Sequence, residues 1–257
     1  MPRHIEISLN GIPLTGAVPL ALIQQVYEEP AEELLTTAER AVGDGQTVIE
    51  KRRTRLTVAV TFTLAETRDL ALRARQQQAA ADWAADGYLT LSSRPGQRLA
   101  VICTRTPNTV EDRNYTAQLR AEFAAVAPPY WQDEEYAAAT GSGASGVATL
   151  QPTGTKPRVP LEAVITPTGG TLNALRVDCG TTFLQFTGLN VAAGTPLIIG
   201  RSGRYDLTVT AAGSGKLSCR AAVSSDELLA VARAENQITW QADTACNCVF
   251  KARGLYR

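Results

Sequence analysis

Between Tyr115 and Gly146 the chain changes character twice. It first alternates, with Leu119, Ala121 and Phe123 on one side and Arg120, Glu122 and Ala124 on the other. That period marks a strand with one buried face. The run stops at Pro128-Pro129-Tyr130-Trp131-Gln132-Asp133, since proline offers no N–H to a ladder. It then passes into Thr140-Gly141-Ser142-Gly143-Ala144-Ser145-Gly146, which has the composition of a flexible linker. The reading is therefore an N-terminal domain over residues 1–133, a linker over 134–146 and a C-terminal domain over 147–257.

Upstream of this join the signals are mostly those of strands. His4 to Asn10 alternates weakly and closes on Asn10-Gly11, and Pro19 to Tyr27 is apolar enough for a second strand. Gly43-Asp44-Gly45 marks a tight turn, where glycine tolerates positive φ. Arg55 to Leu64 is the cleanest strand: Leu56, Val58, Val60, Phe62 and Leu64 share one face, and Arg55, Thr57, Ala59, Thr61 and Thr63 the other. Thr67 to Asp86 changes period and is rich in helix formers. Leu72, Ala79 and Trp83 lie near one stripe, and Gly87 suits the C-terminal cap, so one amphipathic helix is expected there. Tyr88–Leu91 and Leu99–Thr104 read as strands around an Arg94-Pro95-Gly96 turn.

Downstream of Gly146 the pattern is all β. Short apolar runs near Leu161–Thr166, Leu175–Val177, Thr182–Thr187, Leu197–Ile199, Tyr205–Ala211, Leu217–Val223, Ile238–Ala242 and Cys246–Ala252 alternate with Gly-, Asn- or Asp-containing turns. That spacing is typical of a β-sandwich. The fold class is therefore mainly β, in two domains, with a helix in the first.

The candidate chemical sites are sparse. His4 is the sole histidine and sits at the N-terminus, which argues against Ser-His-Asp and Cys-His mechanisms. Cys246-Asn247-Cys248 offers two thiolates, but structural zinc needs four ligands and no second pair lies near in sequence. Cys246, Cys248 and Phe250 share one strand parity, as core residues would. The Gly141–Gly146 run lacks the Lys-Ser/Thr of a phosphate loop. The pairs Glu28-Glu29, Glu32-Glu33 and Glu134-Glu135 are adjacent on extended chain and point apart, unlike glycosidase carboxylates that face each other across a cleft. Lys51-Arg52-Arg53 with Arg55 is the one basic cluster, either lining a channel near phosphate or solvating a strand edge. Tyr130 and Trp131 are either interface aromatics or packing anchors.

Charge and targeting narrow the functional classes further. Twenty-five Lys and Arg balance 25 Asp and Glu, so no global field favours nucleic acid or an anionic membrane. Met1 to Glu6 lacks an apolar leader, and no apolar run reaches the roughly 20 residues that span a bilayer. The expectation is a soluble cytoplasmic product whose five cysteines are free. No cofactor, no metal and no enzymatic activity are expected.

In order and character the chain resembles the distal tail proteins of long-tailed bacteriophages. The features are a β domain whose helix ends in Asp82-Trp83-Ala84-Ala85-Asp86-Gly87-Tyr88-Leu89, a strand leading into Pro129-Tyr130-Trp131, and a second β domain. That domain closes with Asp226-Glu227-Leu228-Leu229, Glu235-Asn236-Gln237-Ile238-Thr239 and Arg253-Gly254-Leu255-Tyr256-Arg257. Where the family has a Pro-Gly tract before its last hairpin, this chain reads Ala230 to Asn236 without one.

The resemblance implies a structural virion component of the tail tip or baseplate, made in the host bacterial cytoplasm. The N-terminal domain, tail-tube-like and sandwich- or barrel-like, would form a homo-hexameric ring, and the C-terminal domain would be a galectin-like sandwich. The ring would join the tail tube protein to the tail hub or tail-associated tip protein, with the tape measure protein and tip fibres as further partners. It would leave a channel for DNA in transit. Arg53, Arg55, Thr57, Thr61 and Thr63 are the expected subunit interface, on a polar yet β-forming face. Two other classes remain: a carbohydrate-binding sandwich for host attachment, and a tail-tip hydrolase. The first needs an exposed aromatic platform, but Trp240 alternates with Ile238 and Ala242 as a core residue would. The second needs a pocket with perturbed carboxylates.

Overall fold

The computed structural model describes residues 5–30, 33–39, 46–53, 55–65, 68–113, 116–126, 129–201, 207–211, 215–216, 220–223 and 228–256. His4, the Gly43–Gly45 turn, Cys219 and the Asp226-Glu227 pair lie outside these residues. The fold is mainly β, and the chain divides into two compact units, Met1–Tyr130 and Trp131–Arg257.

The first unit runs β1 (Ile7–Leu9), β2 (Ile12–Pro13), α1 (Leu14–Ala17), β3 (Ala21–Glu29), β4 (Glu33–Glu39), β5 (Gln46–Arg53), β6 (Thr57–Leu64), α2 (Leu70–Trp83), β7 (Gly87–Leu91), β8 (Gln97–Arg113) and β9 (Thr116–Ala125). Seven strands pair in the order β2-β1-β7-β8-β9-β6-β3, and β4 and β5 form a separate hairpin. The pattern read from Arg55 to Leu64 holds: Leu56, Val58, Val60, Phe62 and Leu64 are all buried. Leu119, Ala121 and Phe123 of β9 join them.

α2 starts where Asp69 accepts the Leu72 N–H at 3.0 Å, a side-chain cap. The helix buries Ala80 and Trp83, while Leu72 and Ala79 are half-buried, so the buried stripe is narrower and displaced from the one expected. Trp83 meets Phe123 edge to face at 5.9 Å and donates its indole N–H to the Ile12 carbonyl at 2.9 Å. That pairing satisfies the one polar atom a buried tryptophan carries. The short helix α1 has no apolar period and was not anticipated.

The second unit comprises β10 (Trp131–Asp133), β11 (Ala137–Leu150), β12 (Arg158–Pro167), β13 (Leu172–Cys179), β14 (Thr182–Val191), β15 (Leu197–Arg201), β16 (Leu207–Ala211), β17 (Gly215–Lys216), β18 (Arg220–Val223), β19 (Leu229–Val231), β20 (Asn236–Ala252) and β21 (Leu255–Tyr256). The order is β17-β16-β15-β12-β20-β13-β14-β18, with β11 along β20 and β19 along β12. β20 serves two layers. Its Ile238–Ala242 half pairs with β13, and its Cys246–Ala252 half pairs with β12. Trp240 from one half and Phe250 from the other meet at 5.7 Å, so the two layers close on one core.

The expected linker is corrected here. Residues 140–146 lie inside β11, which follows β20 from Ala137↔Ala252 to Leu150↔Asn236 with a register shift between Gly143 and Ser145. Gly143 takes φ +114° at that shift, a conformation glycine adopts freely. Gly141 and Gly146 have a steric cause. A Cβ on Gly141 or Gly146 would overlap the indole of Trp240. Two of the glycines that make the segment look like a linker are thus the imprint of a large neighbour across the ladder.

The Ala230–Asn236 turn, which lacks Pro-Gly, is organised by Asn236. Its amide donates to the carbonyls of Leu150, Val231 and Ala234 at 2.9–3.2 Å, and its oxygen accepts the Val231 N–H at 2.7 Å. Arg233 takes φ +61° there. A buried asparagine is tolerated because every partner it needs is present.

Candidate functional site

The expected interface lies on the outward face of β6. Arg55 is exposed, and Thr57, Thr61 and Thr63 are half-buried. Arg53 lies in β5 opposite Glu33, with its side chain outside the described residues. Register extends the face across neighbouring strands: Glu29–Thr57–Ala124, Tyr27–Ala59–Glu122, Gln25–Thr61–Arg120 and Leu22–Thr63–Gln118. Residues directly opposite one another share a face, so these rows form a mostly polar lattice.

Within it, Thr57 donates its hydroxyl to Glu29 at 3.2 Å and Gln118 donates its amide to Gln24 at 2.7 Å. Glu122 pairs with Arg120 at 2.9 Å and with Arg105 at 3.5 Å. The apolar exceptions are Leu22 and Tyr27, 61% and 53% exposed on β3. Neither stands out in the sequence, because an apolar run at this position reads as core. The missing signal was the alternation with Ala21 and Val26, which is broken by the β3 register shift between Ile23 and Gln25.

Both edges of β6 are taken, by β3 and β9. A neighbour can meet the face of β6, not its ladder.

The remaining candidates resolve into structure. Cys246 and Cys248 point inward beside Phe250, at 0% and 1% exposure. Burial pushes both thiols up, Cys248 to about 12 with Cys246 adding to the effect. A thiol held protonated is a poor nucleophile. Among the described residues no cluster of His, Cys, Asp or Glu could hold a metal ion. Glu28 forms an ion pair with Arg94 at 3.0 Å. Trp131 is 1% exposed and so is a packing anchor. No helix among the described residues is long and apolar enough to cross a membrane.

Asp133 ties the end of the chain to β10. Its carboxylate accepts the Tyr256 hydroxyl at 2.8 Å, the Gly254 N–H at 3.1 Å and the Thr153 hydroxyl. Its carbonyl accepts Arg253 at 2.6 Å. Each of these groups is partnered within the fold, so the cluster reads as a clasp.

No family model and no curated protein matches the sequence. Solved structures do match its fold. The crystal structure of the Dit protein of phage SPP1, described as a paradigm of the hub adsorption apparatus in phages infecting Gram-positive bacteria, superposes with a TM-score of 0.67. It is 11% identical and covers 97% of this chain and 98% of its own. A chain of the phage P2 baseplate, in its activated conformation with calcium, gives a TM-score of 0.50 at 10% identity, covering 99% and 98%. The likeness runs through both units and is one of fold.

Proposed function

We propose that this chain is a phage distal tail protein, a structural component of the tail tip. Its first unit would build a homo-hexameric ring joining the tail tube to the baseplate hub or tip fibres, with a central channel for DNA. It would be made in the host cytoplasm and carried in the virion. The observation that carries this reading is the two-unit match to a phage hub protein over 97% of the chain, end to end on both sides. A shared fold alone permits many functions. Here the site chemistry adds support: a cross-linked polar face with two exposed apolar side chains on its end strand suits a protein contact. A head-to-tail contact between identical subunits closes into a ring when its rotation permits, and otherwise forms filaments.

The test is electron microscopy of the purified full-length protein. Six-fold rings with a central opening are expected. A monodisperse monomer at every concentration, or open filaments, would count against the ring. Addition of cognate tail tube protein should cap tube ends with the same ring.

A further inference from the structure

One margin of the second unit is a long strand with an open edge. β11 pairs with β20 along Ala137–Leu150, and its other edge has no ladder partner among the described residues. Such an edge is a template for further pairing, and natural sheets blunt it with short strands, proline or charge. The other strands that end the two large sheets follow that rule. β2 has 2 residues and closes on Pro13, β17, β18 and β19 have 2, 4 and 3, and β3 carries Glu28 and Glu29. β11 has 14 residues, without a proline or a charged side chain.

A second observation comes from the core beside it. Phe250, Cys248, Cys246 and Trp240 are 0–3% exposed, yet the residues opposite them on β11, Ala139, Gly141, Gly143 and Gly146, are only half-buried. Further along the same face Ala148 and Leu150 are 5% and 2% exposed. The margin of the core is therefore closed at one end of β11 and open at the other, where small residues alone line it. Ala137 to Gly143 pair with β20 in unbroken register, and the shift lies beyond them. That stretch has room and free backbone groups for one more strand.

The shape of the margin narrows the occupant. A second copy of β11 laid antiparallel over the same run would set Ala137 against Gly143 and Ala139 against Gly141, small against small, and would leave the margin open. Facing positions fill when a large side chain meets a small one. The outward residues Ala138, Thr140 and Ser142 are exposed, small and uncharged. We infer that the free edge of Ala137–Gly143 receives an extended segment of another polypeptide as an added strand, with large apolar side chains at every second position and uncharged polar ones between. Main-chain bonds then give affinity, and the apolar residues over the open margin give specificity. The inference stands on the second unit alone and does not depend on the ring.

The test is fluorescence titration of the full-length protein with the peptide Thr-Ile-Thr-Phe-Thr-Ile-Thr, joined through Gly-Ser-Gly to a labelled Lys-Lys tail that keeps it soluble. Saturable binding at about 100 μM or tighter is expected. Amide hydrogen exchange should slow over residues 137–143 as it binds. An added strand meets the edge with alternate N–H groups only. N-methylation of the threonines or of the apolar residues should therefore abolish binding in one case and leave it within about threefold in the other. Ala139→Glu, which sets a charge on the open margin, should weaken the unmodified peptide at least about tenfold at an unchanged melting temperature. If that variant fails to fold, the N-methylated pair still decides, because it leaves the protein untouched. Absence of saturable binding would overturn the inference. So would loss of binding with both N-methylated peptides or with neither, or equal binding of the scrambled Thr-Thr-Ile-Phe-Ile-Thr-Thr. Protection of 137–143 without peptide that disappears on dilution would give the edge to a second copy and overturn it too.

Discussion

A Cβ at position 141 or 146 would occupy the volume of the Trp240 indole, a sharp single-residue constraint in the second unit. Gly146→Ala should therefore destabilise by about 1–3 kcal/mol, the usual cost of overpacking, measured as a shift in the urea midpoint. An unchanged midpoint would mean that Trp240 has room to move. Cys246 and Cys248 give a prediction of a different kind. With their thiols buried and raised, they should resist iodoacetamide at pH 8 in the native state and react fully once unfolded, read by peptide mass spectrometry. The same shift fixes a pH dependence. An unfolded cysteine deprotonates near 8.5, whereas the folded Cys248 holds its proton to about 12. Below pH 8 both states are protonated and these groups leave stability flat. As pH rises above about 8.5 the unfolded state loses protons first, so the melting temperature should fall across the alkaline range.

At the scale of elements, β11 shows how composition misleads. Each residue from Ala137 to Gly143 and from Ser145 to Leu150 has a ladder partner in β20. Limited proteolysis of the native protein should therefore spare residues 137–150, with mass spectrometry locating the cuts. Early cleavage there would contradict the strand. The helix start is testable too: Asp69→Ala should cost about 1 kcal/mol by removing the cap on Leu72. Such local features differ in how readily a sequence shows them. The β6 face, the Arg94-Pro95-Gly96 turn and the inward parity of Cys246, Cys248 and Phe250 depend on neighbours two to four residues away, and all were legible. Gly141 and Gly146 of β11 answer to Trp240, almost a hundred residues downstream, and no window along the chain reports that. The same limit hid the free edge of β11, since which strand lies beside it is a matter of register.

For the whole molecule, the question is which part carries assembly. The compact division falls between Tyr130 and Trp131, and the second unit needs all of β11. A fragment of residues 131–257 retains the Asp133 clasp on Arg253, Gly254 and Tyr256, together with the full β11–β20 ladder. It should fold and run as a monomer by light scattering. A fragment of residues 147–257 lacks both. It leaves the Trp240 indole without Gly141 and Gly146 against it and the Cys246–Ala252 edge of β20 unpaired, so it should aggregate or unfold. Under the proposed function, ring formation would fall to the first unit through the face of β6. Thr57→Asp/Thr61→Asp sets one carboxylate beside Glu29, from which it also removes the Thr57 donor, and another between Gln25 and Arg120. Both positions are half-buried on a polar face, so the monomer should keep its circular dichroism while the ring dissociates. Residues 1–130 alone should assemble, and the same fragment with the two aspartates should not. If residues 131–257 make rings on their own while the double variant of the full chain assembles as wild type does, the assembly surface lies in the second unit and the role assigned to β6 fails.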